Sequence, residues 1–219
     1  MGYLFRWPAR TSDALVLSTA FLNSGNFGLS IVLFSFGEQG LELATIFFVV
    51  SNFVCNTVAA FFAARGRRST KQALLQVLKL PGPYAFLFAL PVRALKIPLP
   101  PLLTKPISLI GQASVPIMLM MLGLQLSQTQ LSRRYREISI GVFLRLCVGA
   151  LVAIGLASAM HLEGLARQVA IVEASTPTAV SSGLMAIEFD ADSEYVTSVI
   201  FFSTLLSSIT LTLLLSFLG

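Results

Sequence analysis

The chain has 219 residues, of which 55% are hydrophobic and 11% are charged, and its formal net charge is +5. Soluble domains carry about 25% charged residues, so this chain is too apolar to cover a water-exposed surface. The composition predicts an all-α polytopic membrane protein, because helices satisfy their own backbone groups in lipid. The basic residues form short clusters between apolar segments, which argues against a nucleic-acid partner.

Seven apolar segments are candidates for membrane helices, since a helix needs about 20 apolar residues to cross a bilayer. In chain order they are 14–36, 41–63, 81–96, 105–127, 138–160, 166–188 and 195–218. The third segment is the shortest, and proline clusters mark both of its ends because proline cannot continue a helix interior. A basic linker, 64–80, separates the second segment from the third.

The distribution of basic residues predicts how the chain is oriented. Arg6, Arg10, the linker 64–80 and the stretch 133–136 place ten Lys and Arg residues on one side of the membrane, against four on the other. Lys and Arg are enriched in cytoplasmic loops. We therefore expect an integral protein of the plasma membrane (in bacteria, the inner membrane), with a cytoplasmic N-terminus and an external C-terminus.

Two of the apolar segments are interrupted by polar, helix-weakening residues. "NSGN" (23–26) interrupts the first segment and "TPTA" (176–179) the sixth, and an offset of 153 residues places one on the other. The same offset places "FGEQGLELATIFFVVS" on "FDADSEYVTSVIFFST". Because the two copies have opposite predicted orientations, the pattern predicts an inverted repeat with paired broken helices, as in secondary transporters.

The repeat also predicts the domain organisation. Residues 1–63 form the remainder of an N-terminal repeat, with the broken helix 14–36 and the helix 41–63, and residues 64–80 form a cytoplasmic linker. Residues 81–219 form a five-helix C-terminal repeat that contains the broken helix 166–188. Three segments precede the second broken helix but only a basic tail precedes the first, so we expect the N-terminal half to lack its first three helices.

Three stretches in this order resemble the auxin efflux carrier family. "NSGNFGLS" resembles the family's fourth helix, "ASVPIMLMMLGLQLS" its seventh, and "EASTPTAVSSGLMAIEFDADSEYVTSVIFFSTLLSSITL" its ninth and tenth. The resemblance implies helices 4–10 of a ten-helix, 5+5 inverted-repeat transporter whose two broken helices cross at the substrate site. Ser30 stands where the family often has proline, so the first crossover is expected to bend through Gly25 and Gly28 instead.

The interruptions supply the candidate site residues. The amides of Asn23 and Asn26 either bind substrate or bond across helices, and the hydroxyls near Pro177 either line the path or bond a freed carbonyl. The candidate substrate-binding residues are Asn23, Asn26, Thr176, Thr178 and Ser181. The candidate crossover hinges are Gly25, Gly28, Pro177 and Gly183.

Two charged residues within the spans are candidates for coupling or gating, since charges in a membrane interior are costly and tend to be functional. Glu173 lies one turn before Thr176 and either couples transport to an ion or pairs with a basic residue. Arg145 lies on a stripe of small residues that recurs every four positions, which predicts that it faces protein. The alternative is that Arg145 snorkels to the membrane surface.

We therefore predict a secondary transporter, not an enzyme, that needs no cofactor and moves a small organic anion such as a carboxylate by alternating access. Coupling to a proton or to sodium and assembly as a homodimer are both compatible with the sequence. One alternative is a truncated, non-transporting remnant that assembles with partner helices. The other is an intramembrane hydrolase, but the only histidine, His161, lies at a predicted outer boundary and no aspartate lies mid-span.

Overall fold

The computed structural model describes residues 7–66, 81–128 and 131–218. Arg6 and the basic linker from residue 67 to 80 lie outside these ranges. The helices in chain order are α1 Ala9–Ala20, α2 Leu29–Gly66, α3 Pro81–Ala94, α4 Pro101–Ser127, α5 Tyr135–Ala159, α6 Gly164–Ala174, α7 Ser181–Glu188 and α8 Ser193–Leu218. The all-α class that the composition predicts is confirmed for these parts of the chain.

Four stretches of helix in the described ranges are long and apolar enough to cross a bilayer: Ser24–Cys55, Pro101–Leu124, Tyr135–Ala159 and Ser193–Leu218. They confirm a polytopic membrane protein. The predicted third segment corresponds to α3, which has 14 residues and contains Pro91. The predicted first segment is divided between α1 and the start of the 38-residue α2, and the predicted sixth segment is divided between α6 and α7.

The described residues form two compact units, one from residues 1–44 and 117–219 and the other from residues 45–116. The first unit contains α1, the start of α2, and α5 to α8. The second contains α3 and most of α4. Every candidate site residue lies in the first unit. The repeat boundaries at residues 63 and 80 and the linker's cytoplasmic side stay predictions.

The first interruption follows α1 and lies before the glycines that were expected to form it. Phe21 is extended, with φ −97° and ψ 119°, and residues Ser24–Gly28 form a π-helical turn that leads into α2. The Gly28 N–H donates to the Asn23 carbonyl over 3.0 Å, five residues back. This wide hydrogen-bonded turn holds Gly25 and Gly28 in a helical conformation. Because helices often kink at π-helical turns, the role of the two glycines as crossover hinges stays a prediction.

Each broken segment ends in a turn that contains a residue with a positive φ angle. Gly37 has φ 65° and ψ −161°, a backbone region that is essentially restricted to glycine, and it kinks α2. Asp190 has φ 54° and lies between α7 and α8. These two residues are 153 positions apart, which is the offset that the repeated sequence patterns show.

Helix α8 has two different faces, which explains how it borders the site. Its buried residues recur every four positions along one face, namely Tyr195, Val199, Ser203, Ser207 and Leu211. Large apolar side chains are exposed on the opposite face, namely Leu205, Ile209, Leu213 and Phe217. Positions i and i+4 share a face of a helix, so α8 presents small hydroxyl side chains to the interior and an apolar surface outward.

Polar contacts at one end of the unit join the starts of α1, α5 and α8. The Asp192 carboxylate accepts hydrogen bonds from Arg134 Nη2 at 2.5 Å and from the Tyr195 N–H at 3.1 Å, so it also caps the start of α8. The Arg10 guanidinium donates to the Asp190 carboxylate at 2.8 Å. Both partners of this second pair are exposed, so it contributes little energy, but it aligns the start of α1 with the turn before α8.

Candidate functional site

The two interruptions meet and pair through their backbones. Leu22 lies opposite Thr178 in an antiparallel bridge. The Asn23 N–H donates to the Pro177 carbonyl over 2.9 Å, and the Ala179 N–H donates to the Phe21 carbonyl over 2.9 Å. Broken backbone within a membrane protein needs partners from elsewhere in the chain. Here each broken helix supplies a donor and an acceptor to the other, and we call this place the crossing.

The two threonines of the second interruption are fully buried, and both bond to backbone. Thr178 Oγ1 donates to the Ser18 carbonyl at 2.7 Å, and the Thr178 N–H donates to Ser203 Oγ at 3.2 Å. Thr176 Oγ1 donates to the Glu173 carbonyl at 2.7 Å. These bonds satisfy carbonyls near the ends of α1 and α6. Of the two alternatives given for these hydroxyls, bonding to a freed carbonyl is the one that this arrangement contains.

The Arg145 guanidinium joins the ends of the two broken helices. It is 4% exposed and donates to the carbonyls of Thr176 and Ala174 at 2.8 Å each, and to the Thr19 carbonyl at 3.2 Å. A cation is favoured at a helix C-terminus, where carbonyls lack partners within the helix. Arg145 therefore faces the protein interior, as the stripe of small residues predicts, and does not snorkel to the surface.

Glu173 lies in the last turn of α6 and is fully buried. Its carboxyl group contacts Gly28, and a methyl group at that position would lie 2.8 Å from Glu173 Cδ. Neither carboxyl oxygen has a hydrogen-bond partner among the described residues, and the same is true of Asn23 Nδ2. Arg145 and Glu173 therefore form no direct hydrogen bond, and Glu173 is a buried acid whose carboxyl group has no hydrogen-bond partner among the described residues.

The remaining candidates lie around the crossing or away from it. Asn26 is half-buried on the π-helical turn, and its carbonyl accepts from Ser30 Oγ at 3.2 Å. Ser181 is exposed at the start of α7, outside the buried cluster. Gly183 lies inside α7, where an added Cβ would be in ordinary contact with α8 at 3.5 Å. Of the four predicted hinges, Pro177 lies between helices, whereas Gly25, Gly28 and Gly183 lie in helical turns. Their role as hinges stays a prediction.

The sequence analysis did not identify several polar groups that lie at the crossing. Ser18 and Thr19 supply carbonyls near the end of α1, and Ser203 on α8 accepts the Thr178 N–H. Thr204, next to Ser203, is buried and its hydroxyl has no partner among the described residues. The available signal was the run of hydroxyl residues inside the apolar α8, because polar residues within a spanning helix tend to face protein.

The charged groups of the interior are few. Within the described residues, Arg145 and Glu173 are the buried charged side chains, and no three His, Cys, Asp or Glu side chains there cluster closely enough to hold a metal ion. The arrangement can therefore act through a single carboxyl group, a guanidinium, amide and hydroxyl groups, and the backbone of four helix ends.

Replacing Gly28 with alanine is expected to lower the stability of the folded protein by about 1 kcal/mol, because the new methyl group displaces a carboxyl that has little room to move. The free energy of unfolding in detergent micelles measures this loss. The matched control is Gly155→Ala, since the described residues leave open space around Gly155. That change should stabilise slightly. If Gly28→Ala raised the free energy of unfolding as much as Gly155→Ala does, the packing of Glu173 on Gly28 would be contradicted. In a Glu173→Ala background, Gly28→Ala should no longer lower the free energy of unfolding.

Two interrupted helices that meet inside an apolar helical protein are a feature that secondary transporters of membranes share. The family model described as "Membrane transport protein" matches residues 63–215, and the chain belongs to this family. The match confirms the resemblance to the auxin efflux carrier family, and it covers the second and third of the three stretches that indicate it.

Two archaeal proteins are similar to most of the chain. An uncharacterized transporter of Methanothermobacter thermautotrophicus is 28% identical over 203 residues, which are 91% of this chain and 66% of that protein. An uncharacterized transporter of Methanocaldococcus jannaschii is 25% identical over 215 residues, which are 96% of this chain and 70% of that protein. The chain therefore spans about two thirds of the length of the curated relatives that it matches.

Proposed function

We propose that this chain forms the substrate-carrying part of a secondary transporter that moves a small organic anion, such as a carboxylate, by alternating access. The observation that supports this most directly is the backbone bridge between Leu22 and Thr178. At a bridge of two hydrogen bonds between interrupted helices, the backbone N–H groups can leave their carbonyl acceptors and donate to a ligand instead. Membership of the membrane transport protein family supports the same function.

An anion at the crossing would meet groups that favour negative charge. The π-helical turn and α7 both begin directly after the interruptions, and the first N–H groups of a helix have no partner within it. Asn23 Nδ2 is a buried donor without a partner among the described residues. Arg145 places a positive charge beside the ends of α1 and α6. In this proposal Asn23 donates to the substrate carboxylate, Asn26 lies at the edge of the site, and Arg145 holds the helix ends in place.

Alternating access requires the crossing to open to one side of the membrane at a time. In this proposal the N-terminus lies in the cytoplasm and the C-terminus outside, in the plasma membrane, as the basic residues predict. The substrate moves with the two broken helices, and Pro177 absorbs part of the backbone change because it lies in the interruption. Coupling to an ion gradient and assembly as a homodimer are compatible with this mechanism.

The site assignment predicts that Asn23→Ala lowers uptake at least about tenfold, since one hydrogen bond to a charged group is worth about 1.5–3 kcal/mol and 1.4 kcal/mol is a factor of ten. Thr176→Ala is expected to lower uptake as well, because it removes the donor to the Glu173 carbonyl beside the crossing. The measurement is uptake of labelled mono- and dicarboxylates into proteoliposomes, with size-exclusion profiles to verify folding. Thr212→Ala is the matched control, because exposed Thr212 also bonds to the backbone of its own helix. Wild-type flux in either site variant would overturn the assignment. A correctly folded wild-type protein that moves no organic anion would overturn the proposed function.

A further inference from the structure

The carboxyl group of the buried acid at the crossing makes no hydrogen bond with the described residues. Glu173 is 0% exposed, and neither of its carboxyl oxygens accepts a hydrogen bond from the residues that the structure describes. Buried polar groups are nearly always hydrogen-bonded, so an exception of this kind calls for an explanation. Its contact is with Gly28 on the π-helical turn, the segment that leads out of the first interruption. The acid therefore sits between the two broken helices.

The helices around α6 offer the acid one buried cation. α6 packs against the π-helical turn, α5 and α8. The π-helical turn carries no titratable residue, and α6 itself carries Arg167 near its start. From α5 and α8 the titratable or charged residues are Tyr135, Arg136, Glu137, Arg145, Cys147, Glu194 and Tyr195. Arg145 donates to three backbone carbonyls, and the buried Tyr195 hydroxyl donates to the Glu137 carbonyl at 3.1 Å.

An ionised Glu173 would be costly in this arrangement. Burying a charge without hydrogen bonds costs several kcal/mol even after relaxation, and a group in this position takes up a proton instead. The positive charge of Arg145 reduces the cost of ionisation, but no hydrogen bond joins the two side chains. A neutral carboxylic acid against the Cα of Gly28 removes the buried charge altogether.

We propose that Glu173 is a proton-binding site: its carboxyl group takes up a proton while the crossing is open to one side of the membrane, keeps it while the two broken helices are closed on each other, and releases it when the crossing opens to the other side. One carboxyl oxygen takes the proton from hydronium, forming an O–H bond, and returns it to water on the other side of the membrane. This inference rests on the proposed transport function and assigns its coupling ion. Because Glu173 and the substrate groups share one crossing, each transport cycle carries a proton with it.

Infrared spectroscopy tests the protonation without requiring transport. The full chain in lipid vesicles at neutral pH is expected to show the C=O stretch of a buried carboxylic acid, and Glu173→Gln is expected to remove it. Glu163→Gln is the matched control, because Glu163 is exposed just before the same helix and its loss should leave the band unchanged. The absence of the band in the wild type, or its persistence in Glu173→Gln, would overturn the proposal.

Uptake driven by an imposed gradient tests the coupling. An inwardly directed proton gradient, with the outside more acidic than the inside, is expected to accelerate uptake of labelled carboxylate by the wild type and by Glu163→Gln. In Glu173→Gln, which imitates the protonated side chain, exchange of substrate should continue while the response to the pH gradient is lost. A full pH response in Glu173→Gln, or acceleration of the wild type by a sodium gradient in place of a proton gradient, would overturn the proposal. If no variant transports, the proposed function fails, and the infrared band still decides whether Glu173 holds a proton.

Discussion

Replacing Arg145 with alanine is expected to destabilise the protein by about 3 kcal/mol or more, because it leaves the carbonyls of Thr19, Ala174 and Thr176 without their donor and each unpaired buried group costs about 1–3 kcal/mol. The free energy of unfolding in detergent micelles is the measurement. Transport should be lost as well, since the guanidinium holds the ends of both broken helices. A lysine at this position keeps the charge but lacks the planar fork that reaches several carbonyls, so its loss should be intermediate.

Arg136→Ala provides the control for this prediction. Arg136 is exposed on the same helix, α5, so its replacement removes an equal charge and a long side chain without touching the crossing. Surface substitutions of this kind usually change stability by less than about 0.5 kcal/mol. If Arg145→Ala unfolds at the same denaturant concentration as Arg136→Ala, the guanidinium does not stabilise the helix ends.

The second large effect is expected for Gly141→Ala on α5. An added Cβ would lie 2.5 Å from the Tyr195 hydroxyl oxygen and 3.1 Å from a Val199 methyl group. Tyr195 is fully buried, so its ring cannot move aside as a flexible side chain would. Overpacking in a core costs about 1–3 kcal/mol, and the Tyr195–Glu137 hydrogen bond is lost when the ring shifts. Thermal unfolding in micelles should show the loss.

A double-mutant cycle separates this clash from other effects. Tyr195→Phe removes the hydroxyl that makes the closest contact, at the cost of one hydrogen bond worth about 1 kcal/mol. Gly141→Ala should therefore cost clearly less in the Tyr195→Phe background than in the wild type. Equal costs in both backgrounds would show that the hydroxyl contact does not limit the packing of α5 on α8. Gly155→Ala on α5 again serves as the control for a simple change of helix propensity.

Several local features follow from residue chemistry and were predictable. The interruptions lie at or beside Asn23 and Pro177, since asparagine is a weak helix former and proline cannot continue a helix interior. The turns at Gly37 and Asp190 carry residues that tolerate positive φ. The buried position of Arg145 follows from the small residues at Gly141, Gly149 and Ala153, because such a stripe lets a helix pack closely against another.

Other features depend on what the rest of the chain provides. The bond from the Gly28 N–H to the Asn23 carbonyl forms a π-helical turn over Gly25 and Gly28, which their residue types do not predict. Gly28 also provides room for the Glu173 carboxyl group. The pairing of Glu173 with a basic residue was a reasonable hypothesis from their types alone. The carbonyls of the two helix ends take the guanidinium's hydrogen bonds in its place, and a sequence pattern gives no sign of that competition.

Residue types and their spacing are enough to predict an all-α membrane protein, two interrupted spans and the family of the chain. These properties depend on residue type and on spacing along one helix. The tertiary structure alone decided that residues 21–23 pair with residues 177–179, that Arg145 joins both helix ends, and that Glu173 is left without a hydrogen-bond partner among the described residues. An interrupted helix leaves N–H and C=O groups unpaired, and which distant residues satisfy them is decided by how the helices pack.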